Sequence, residues 1–355
     1  MRRRQFLQSA TLAPLSSAAA SASPGMPLRG LHLAAPRPEN MELAQRFFEE
    51  VLPKEGVNTL FLEFNYGFRN RRFQEIVDEP ALSPEQVRSL ARAVRNAGAK
   101  LVPQINLLGH QSWAKKTFAL LRAHPEFDES PGLYPENEGI YCRSYCPRHP
   151  NVHEVVLALV DDLCELCDAH DFHAGLDEVF LLAEDACPRC RGANKADLFA
   201  AEVQRIHDHL ARSGTTLWMW ADRFLDGATT GIGKWEASLD NTHTALPSIP
   251  KDVIMCDWHY EAAHPTALWF ALHGFRTASC PWRKASVALR QLDQIQAVRR
   301  DASGVVADRL LGMIQTTWVG FTQFAKAYSG DKDASPQARE AAACFRELFK
   351  DLRRG

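Results

Sequence analysis

Several absences narrow the reading of this chain before any motif does. Its 355 residues carry 41 basic and 43 acidic side chains, a formal net charge of -2. That balance removes the electrostatic footprint expected of a nucleic-acid or anionic-membrane binder. No apolar run reaches the length needed to span a bilayer, so no membrane span is expected. No glycine-rich phosphate turn follows the first candidate strand, which argues against a dinucleotide-binding sheet. No Cys-His pairing is visible that would mark a thiol nucleophile. What remains has enough apolar residues, 46% of the chain, to bury a sizeable core.

The first residues form a separate object. Arg2, Arg3 and Arg4 precede a mild Ala/Leu/Ser stretch and then Ala20-Ser21-Ala22, the arrangement of charged region, apolar region and small-residue cleavage site. The order Arg3-Arg4-Gln5-Phe6-Leu7 resembles a twin-arginine export signal; a general secretory signal is the alternative. Residues 1–22 are therefore read as an export signal and 26–355 as one catalytic domain. A periplasmic or extracellular location is the expectation.

The rest alternates short β-rich runs with helical patterns. Strands are expected at Gly30–Ala35, Val57–Asn65, Lys100–Leu107, Phe172–Val179, Thr216–Asp222, Asp252–His259, Phe275–Trp282 and Leu310–Trp318. These runs are nearly continuous in apolar residues, as parallel strands covered on both faces should be. Asn40 is placed to cap the first helix, and Ser83-Pro84-Glu85-Gln86 reads as a capping box with proline at the first helical position. Further helices are expected over Ala196–Leu210, Ala262–Gly274 and Ser286–Arg299, with Ser335-Pro336 opening the last. Eight strands with helices between them predict a single (β/α)8 TIM barrel with a long insertion between strands 3 and 4.

In such barrels chemistry sits at the C-terminal strand ends. Those ends supply Glu63 and Asn65, Asn106 and His110, Asp177 and Glu178, Trp220 and Asp222, Trp258 and Tyr260, Trp282, and Trp318. Aromatic walls with interspersed polar groups suit a pyranose ring, with apolar faces and a hydroxyl rim. Tryptophans that simply plug the core are the alternative, and a histidine inside a strand, as His173 is, is as readily a core residue.

At this point the residues carry a family resemblance. Leu101-Val102-Pro103-Gln104-Ile105-Asn106, followed by Gly109-His110, is similar to the third strand of family 20 glycoside hydrolases. Tyr145-Cys146-Pro147, a helix, and then His173-Ala174-Gly175-Leu176-Asp177-Glu178 resembles that family's Leu-Cys-Pro, helix, His-x-Gly-Gly-Asp-Glu order. The resemblance implies a β-N-acetylhexosaminidase-like barrel working by substrate-assisted retaining hydrolysis without a required cofactor. It implies that Glu178 is the general acid/base and that Asp177 orients the 2-acetamido group. It also implies that His110, His173, Trp220, Asp222, Trp258, Tyr260, Trp282 and Trp318 contact the sugar.

The sequence departs from the family pattern in four places. Leu176 stands where the family has its second glycine, the sugar-gripping arginine of strand one has only Arg37 nearby, and Ser279-Cys280-Pro281-Trp282-Arg283 lacks the acetamido-contacting tyrosine, a role left to Tyr260. Trp318-Val319-Gly320 also replaces a tryptophan followed by a carboxylate. A glycosidase for a sugar without an acetamido group, or a non-catalytic carbohydrate-binding barrel, are the competing readings. The oligomeric state is not written in the sequence.

Nine cysteines complete the inventory. Cys164 and Cys167 lie on one helix and read as small buried residues. Cys187-Pro188-Arg189-Cys190 resembles a zinc knuckle, and Cys142 and Cys146 lie on the insertion that faces it. A four-thiolate structural zinc site, disulfides, or free thiols are the three readings of Cys142, Cys146, Cys187 and Cys190.

Overall fold

The computed structural model describes residues 25–354; the export signal expected over 1–22 lies outside them. Eight parallel strands close into a barrel in the order β1-β8-β7-β6-β5-β4-β3-β2. They are β1 (Leu28–Ala34), β2 (Thr59–Glu63), β3 (Lys100–Leu107), β4 (Asp171–Gly175), β5 (Thr216–Trp220), β6 (Ile254–Trp258), β7 (Arg276–Cys280) and β8 (Leu310–Gln315). Leu28, Phe61, Val102, Trp218, Trp220, Ile254, Ala278 and Ile314 fill the interior, while the outward strand faces pack under the helices. Both faces are buried, which is why the strands read as unbroken apolar runs.

The helices follow the local signals. The helix Met41–Glu55 (α1) is entered from a 3-10 turn at Pro38–Asn40, and Asn40 makes no side-chain cap, contrary to expectation. In α2 (Pro84–Asn96) the capping box is complete, with the Ser83 hydroxyl accepting the Gln86 N–H and the Gln86 amide oxygen accepting the Ser83 N–H. The helix Val152–Cys167 (α3) leads into β4, and Asn194 caps α4 (Lys195–Ala211) through the N–H groups of Ala196 and Asp197. Next come α5 (Thr266–Leu272), α6 (Ala285–Asp301), α7 (Phe321–Tyr328) and α8 (Pro336–Leu352), the last capped by Ser335. No helix among the described residues is long and apolar enough to cross a membrane.

Every expected strand but β3 runs past its true end, and three of them stop beside left-handed residues at the site. β2 stops at Glu63, β4 at Gly175 and β8 at Gln315. The reason is backbone handedness: Asn65, Gly175, Leu176, Glu178 and Trp318 all have positive φ, between 44° and 70°. At Gly175 a Cβ would lie 2.2 Å from the Asn106 side-chain oxygen, so only glycine fits beside β3. Leu176 adopts the left-handed conformation without glycine's freedom, at a cost of order 1–3 kcal/mol that its complete burial helps offset.

Candidate active site

Residues at the C-terminal mouth of the barrel enclose a cavity of about 540 Å³, the volume of a small-ligand site. Asp177 and Glu178 both reach it, although neighbours in an extended strand point to opposite faces. The left-handed turns at Leu176 and Glu178 break that alternation. Asp222 then fixes the loop, because its Oδ2 accepts the Glu178 N–H at 3.0 Å and the Arg223 Nε–H at 2.6 Å. Its Oδ1 accepts the Trp258 indole N–H at 3.2 Å. Burial raises the Asp222 pKa, and the Arg223 guanidinium opposes the rise.

His110 faces the pair. Its Nε2 lies 3.3 Å from Asp177 Oδ2 and 3.4 Å from Glu178 Oε2. Burial disfavours the imidazolium, but the Asp177 charge and the oxygens of both carboxylates outweigh it and raise the His110 pKa well above 6.5. The other Asp177 oxygen, Oδ1, is buried and has no hydrogen-bond partner. It is an acceptor that no protein donor meets.

Two banks flank the acid pair. One is aromatic: Trp258 stacks on Tyr260 with centroids 5.0 Å apart, and Trp282 meets Tyr260 edge-on at 5.4 Å. The Trp318 indole N–H donates to the Tyr260 hydroxyl, and Tyr260 lines the cavity. Burial raises the Tyr260 pKa well above 10, so the group stays a donor. The other bank is polar: Glu63 Oε1 accepts the side-chain N–H groups of Asn65 and Asn106, each at 2.9 Å. Burial raises the Glu63 pKa, with Asp177 adding to the effect. No arginine or lysine is among the lining residues; Arg37 is not one of them.

Of the residues singled out from sequence, Asp177, Glu178, His110, Trp258, Tyr260, Trp282 and Trp318 line the cavity. His173, Trp220 and Asp222 do not. His173 is fully buried against Trp220, ring centroids 4.4 Å apart, and its Nδ1 accepts the Gly175 N–H at 3.1 Å. Trp220 sits beneath Trp318 as a floor, and Asp222 acts behind the wall through the hydrogen bonds above.

Sequence reasoning missed His32, Trp113 and Tyr141, all in the lining. His32 points inward from mid-β1, contacts Gln104 Oε1 at 3.1 Å, and burial lowers its pKa to about 4. Trp113 and Tyr141 come from the segment between β3 and β4, where no periodicity marks them; their rings meet at 5.2 Å. An aromatic residue on a connection already placed over the mouth was the available signal.

The four-thiolate arrangement is corrected. Cys142 lies beside the acid pair, its thiol 3.8 Å from the Glu178 carbonyl oxygen. Cys146, Cys187 and Cys190 converge instead with Glu129, and no disulfide joins any of the nine cysteines.

Comparison with known proteins gives a consistent picture. Residues 63–323 match the family model described as glycosyl hydrolase family 20, catalytic domain. None of the curated proteins matches. Among solved structures, a chitobiase of Flavobacterium johnsoniae superposes with a TM-score of 0.61 at 17% identity, covering 92% of this chain and 52% of that one. A β-N-acetylhexosaminidase from Bacteroides fragilis gives 0.60 at 16%, covering 91% and 65%. A β-hexosaminidase from Streptomyces plicatus, in complex with the product GlcNAc, gives 0.61 at 14%, covering 90% and 63%. The chain thus spans between half and two thirds of the length of these proteins.

Proposed function

Because the chain belongs to glycosyl hydrolase family 20, matching its catalytic-domain model over residues 63–323, we propose that it hydrolyses β-linked N-acetylhexosaminides by substrate-assisted retention. Glu178 protonates the glycosidic oxygen as the bond to the leaving group breaks. The substrate's own acetamido carbonyl oxygen attacks the anomeric carbon from the opposite face and closes a cationic oxazolinium ring. Asp177 accepts the acetamido N–H and holds the developing positive charge, and the Tyr260 hydroxyl donates to the acetamido oxygen. Glu178, now a base, then takes a proton from the water that opens the ring. Trp258, Trp282 and Trp318 offer apolar faces to the ring and exclude water around the reacting carbon.

The observation that carries this reading is the adjacent Asp177 and Glu178, both on the wall of one aromatic-lined cavity. An acetamido group presents Asp177 with the N–H that a carboxylate accepts. The lack of a lining arginine passes recognition of the remaining hydroxyls to Glu63, Asn65 and Asn106. The second reading, a sugar without the acetamido group, rests instead on Ser279-Cys280-Pro281-Trp282-Arg283, which lacks the acetamido-contacting tyrosine.

A panel of chromogenic glycosides, run on wild type and Glu178→Gln, separates the readings. Turnover of the N-acetylglucosaminide that falls about 10²–10⁴-fold in the variant supports the proposal. A thiazoline mimic of the cyclised intermediate should bind tightly. Turnover confined to sugars without an acetamido group, or sugar binding with no turnover, refutes it. We further propose export by the twin-arginine route, testable by replacing Arg3 and Arg4 with lysine and assaying activity outside the cytoplasm.

A further inference from the structure

Beneath the loop that carries the acid pair, three thiols and one carboxylate meet in a fully buried cluster outside the sugar cavity. Glu129 and Cys146 come from the segment between β3 and β4, and Cys187 and Cys190 from the loop after β4. All four are 0% exposed, and their ligand atoms lie within 4.8 Å of one another. The Cys146 sulfur is 3.4 Å from that of Cys187 and 3.5 Å from that of Cys190. Glu129 Oε1 takes the Glu184 N–H at 3.3 Å, whereas its Oε2 is buried with no hydrogen-bond partner.

We infer that Glu129, Cys146, Cys187 and Cys190 form a closed structural zinc site, independent of the catalytic reading above. The geometry needs little change. A tetrahedron with Zn–S bonds of about 2.3 Å sets sulfur atoms about 3.8 Å apart, a few tenths wider than the separations here. The Cys146 carbonyl oxygen accepts the His149 N–H at 3.1 Å and the Cys187 carbonyl oxygen accepts the Arg191 N–H at 3.1 Å, so each thiol sits on a tight turn. The Arg148 guanidinium also donates to the Arg189 carbonyl oxygen at 3.2 Å, joining the two turns.

A disulfide accounts for less. Three thiols allow one bridge, which strands the third sulfur and leaves the Glu129 carboxylate buried without a counter-charge. A divalent cation uses all four groups. Binding releases the three thiol protons, and the resulting excess negative charge is flanked in sequence by the exposed Arg148, Arg189 and Arg191. The ion would pin the segment that supplies Tyr141 to the loop that supplies Asp177 and Glu178. Closed and dry, the site has no open position for a substrate, which makes the ion structural.

The test uses the full chain purified without chelator under non-reducing conditions. Elemental analysis should find one zinc per chain in wild type, and Cys187→Ser and Cys190→Ser should each lose it. Glu129→Cys guards against a variant that merely misfolds, because it should retain the metal. After cobalt exchange its sulfur-to-metal charge-transfer absorbance should rise by roughly a third over wild type, in proportion to thiolate count. Denatured wild type, freed of metal, should titrate as nine thiols. Wild type that carries no zinc and takes up no more cobalt than Cys187→Ser overturns the inference, as does a titration two thiols short of nine.

Discussion

Replacing Asp177 by asparagine keeps the shape of the site and removes one charge, so its effects isolate electrostatics. At 3.3 Å from the His110 ring nitrogen, the carboxylate attracts an imidazolium by about 5 kcal/mol at an effective dielectric constant of 20. That is the largest influence holding His110 charged against its burial. In Asp177→Asn the His110 pKa should therefore drop, readable by the pH dependence of its imidazole NMR signals. The same charge is the proposed partner of the cationic intermediate. Loss of one preorganised electrostatic partner of this kind typically costs about 2.7–4 kcal/mol, or 10²–10³ in kcat. The thiazoline mimic should lose affinity by a similar factor. N-acetylglucosamine, which carries no charge at that position, should lose far less, since the asparagine oxygen still accepts its N–H. Equal losses for the charged mimic and the neutral sugar would refute the electrostatic role. An unchanged His110 titration would refute the ion-pair geometry behind it.

Tyr260→Phe removes the proposed donor to the acetamido oxygen and should lower kcat/KM for N-acetylhexosaminides by about 10-fold, from a hydrogen bond worth about 1–1.5 kcal/mol. Binding of sugars without an acetamido group should not change, as isothermal titration would report. His32, buried with its pKa lowered from 6.5 to about 4, contributes stability that is present above pH 6.5 and is lost as pH falls toward 4, because only the unfolded chain takes up the proton in that window. The full effect is about 3 kcal/mol. His32→Gln, which can still donate to Gln104, should flatten the decline in urea stability between pH 7 and 4. His259 works in the opposite direction. The charges of Asp257 and Glu236 overcome its burial and raise its pKa to about 9, so its contribution is full below 6.5 and fades as pH climbs through 9. Gly175→Ala places a Cβ on Asn106 in a backbone conformation with φ of 68°. It should lower stability by about 1–3 kcal/mol and activity with it, measured by thermal melting and kcat.

The barrel was legible because each strand is buried on both faces and reads as an apolar run, and because Ser83 and Ser335 announce their helices. The acid pair and the aromatic bank were legible for a related reason, since a barrel puts strand ends in one place. Handedness was not legible. Nothing in the letters Leu176-Asp177-Glu178 tells that the chain turns left there, so the expected strand ran on to Val179. Depth within a strand was equally hidden. His173 and Trp220 share β-strand spacing with true lining residues but lie one layer deeper, packed on each other. The cysteine cluster shows a third limit: spacing located Cys187 and Cys190, yet a partner as unremarked as Glu129 emerges only when two segments meet.

Asp222 ties the backbone of Glu178, the proposed proton donor, and the indole of Trp258 to one anchor. Selection for a new sugar cannot reshape the platform there without disturbing the acid, so the two are inherited together. Variation in specificity is left to the outlying connections, where Trp113 is exposed, whereas Tyr141 packs against His110.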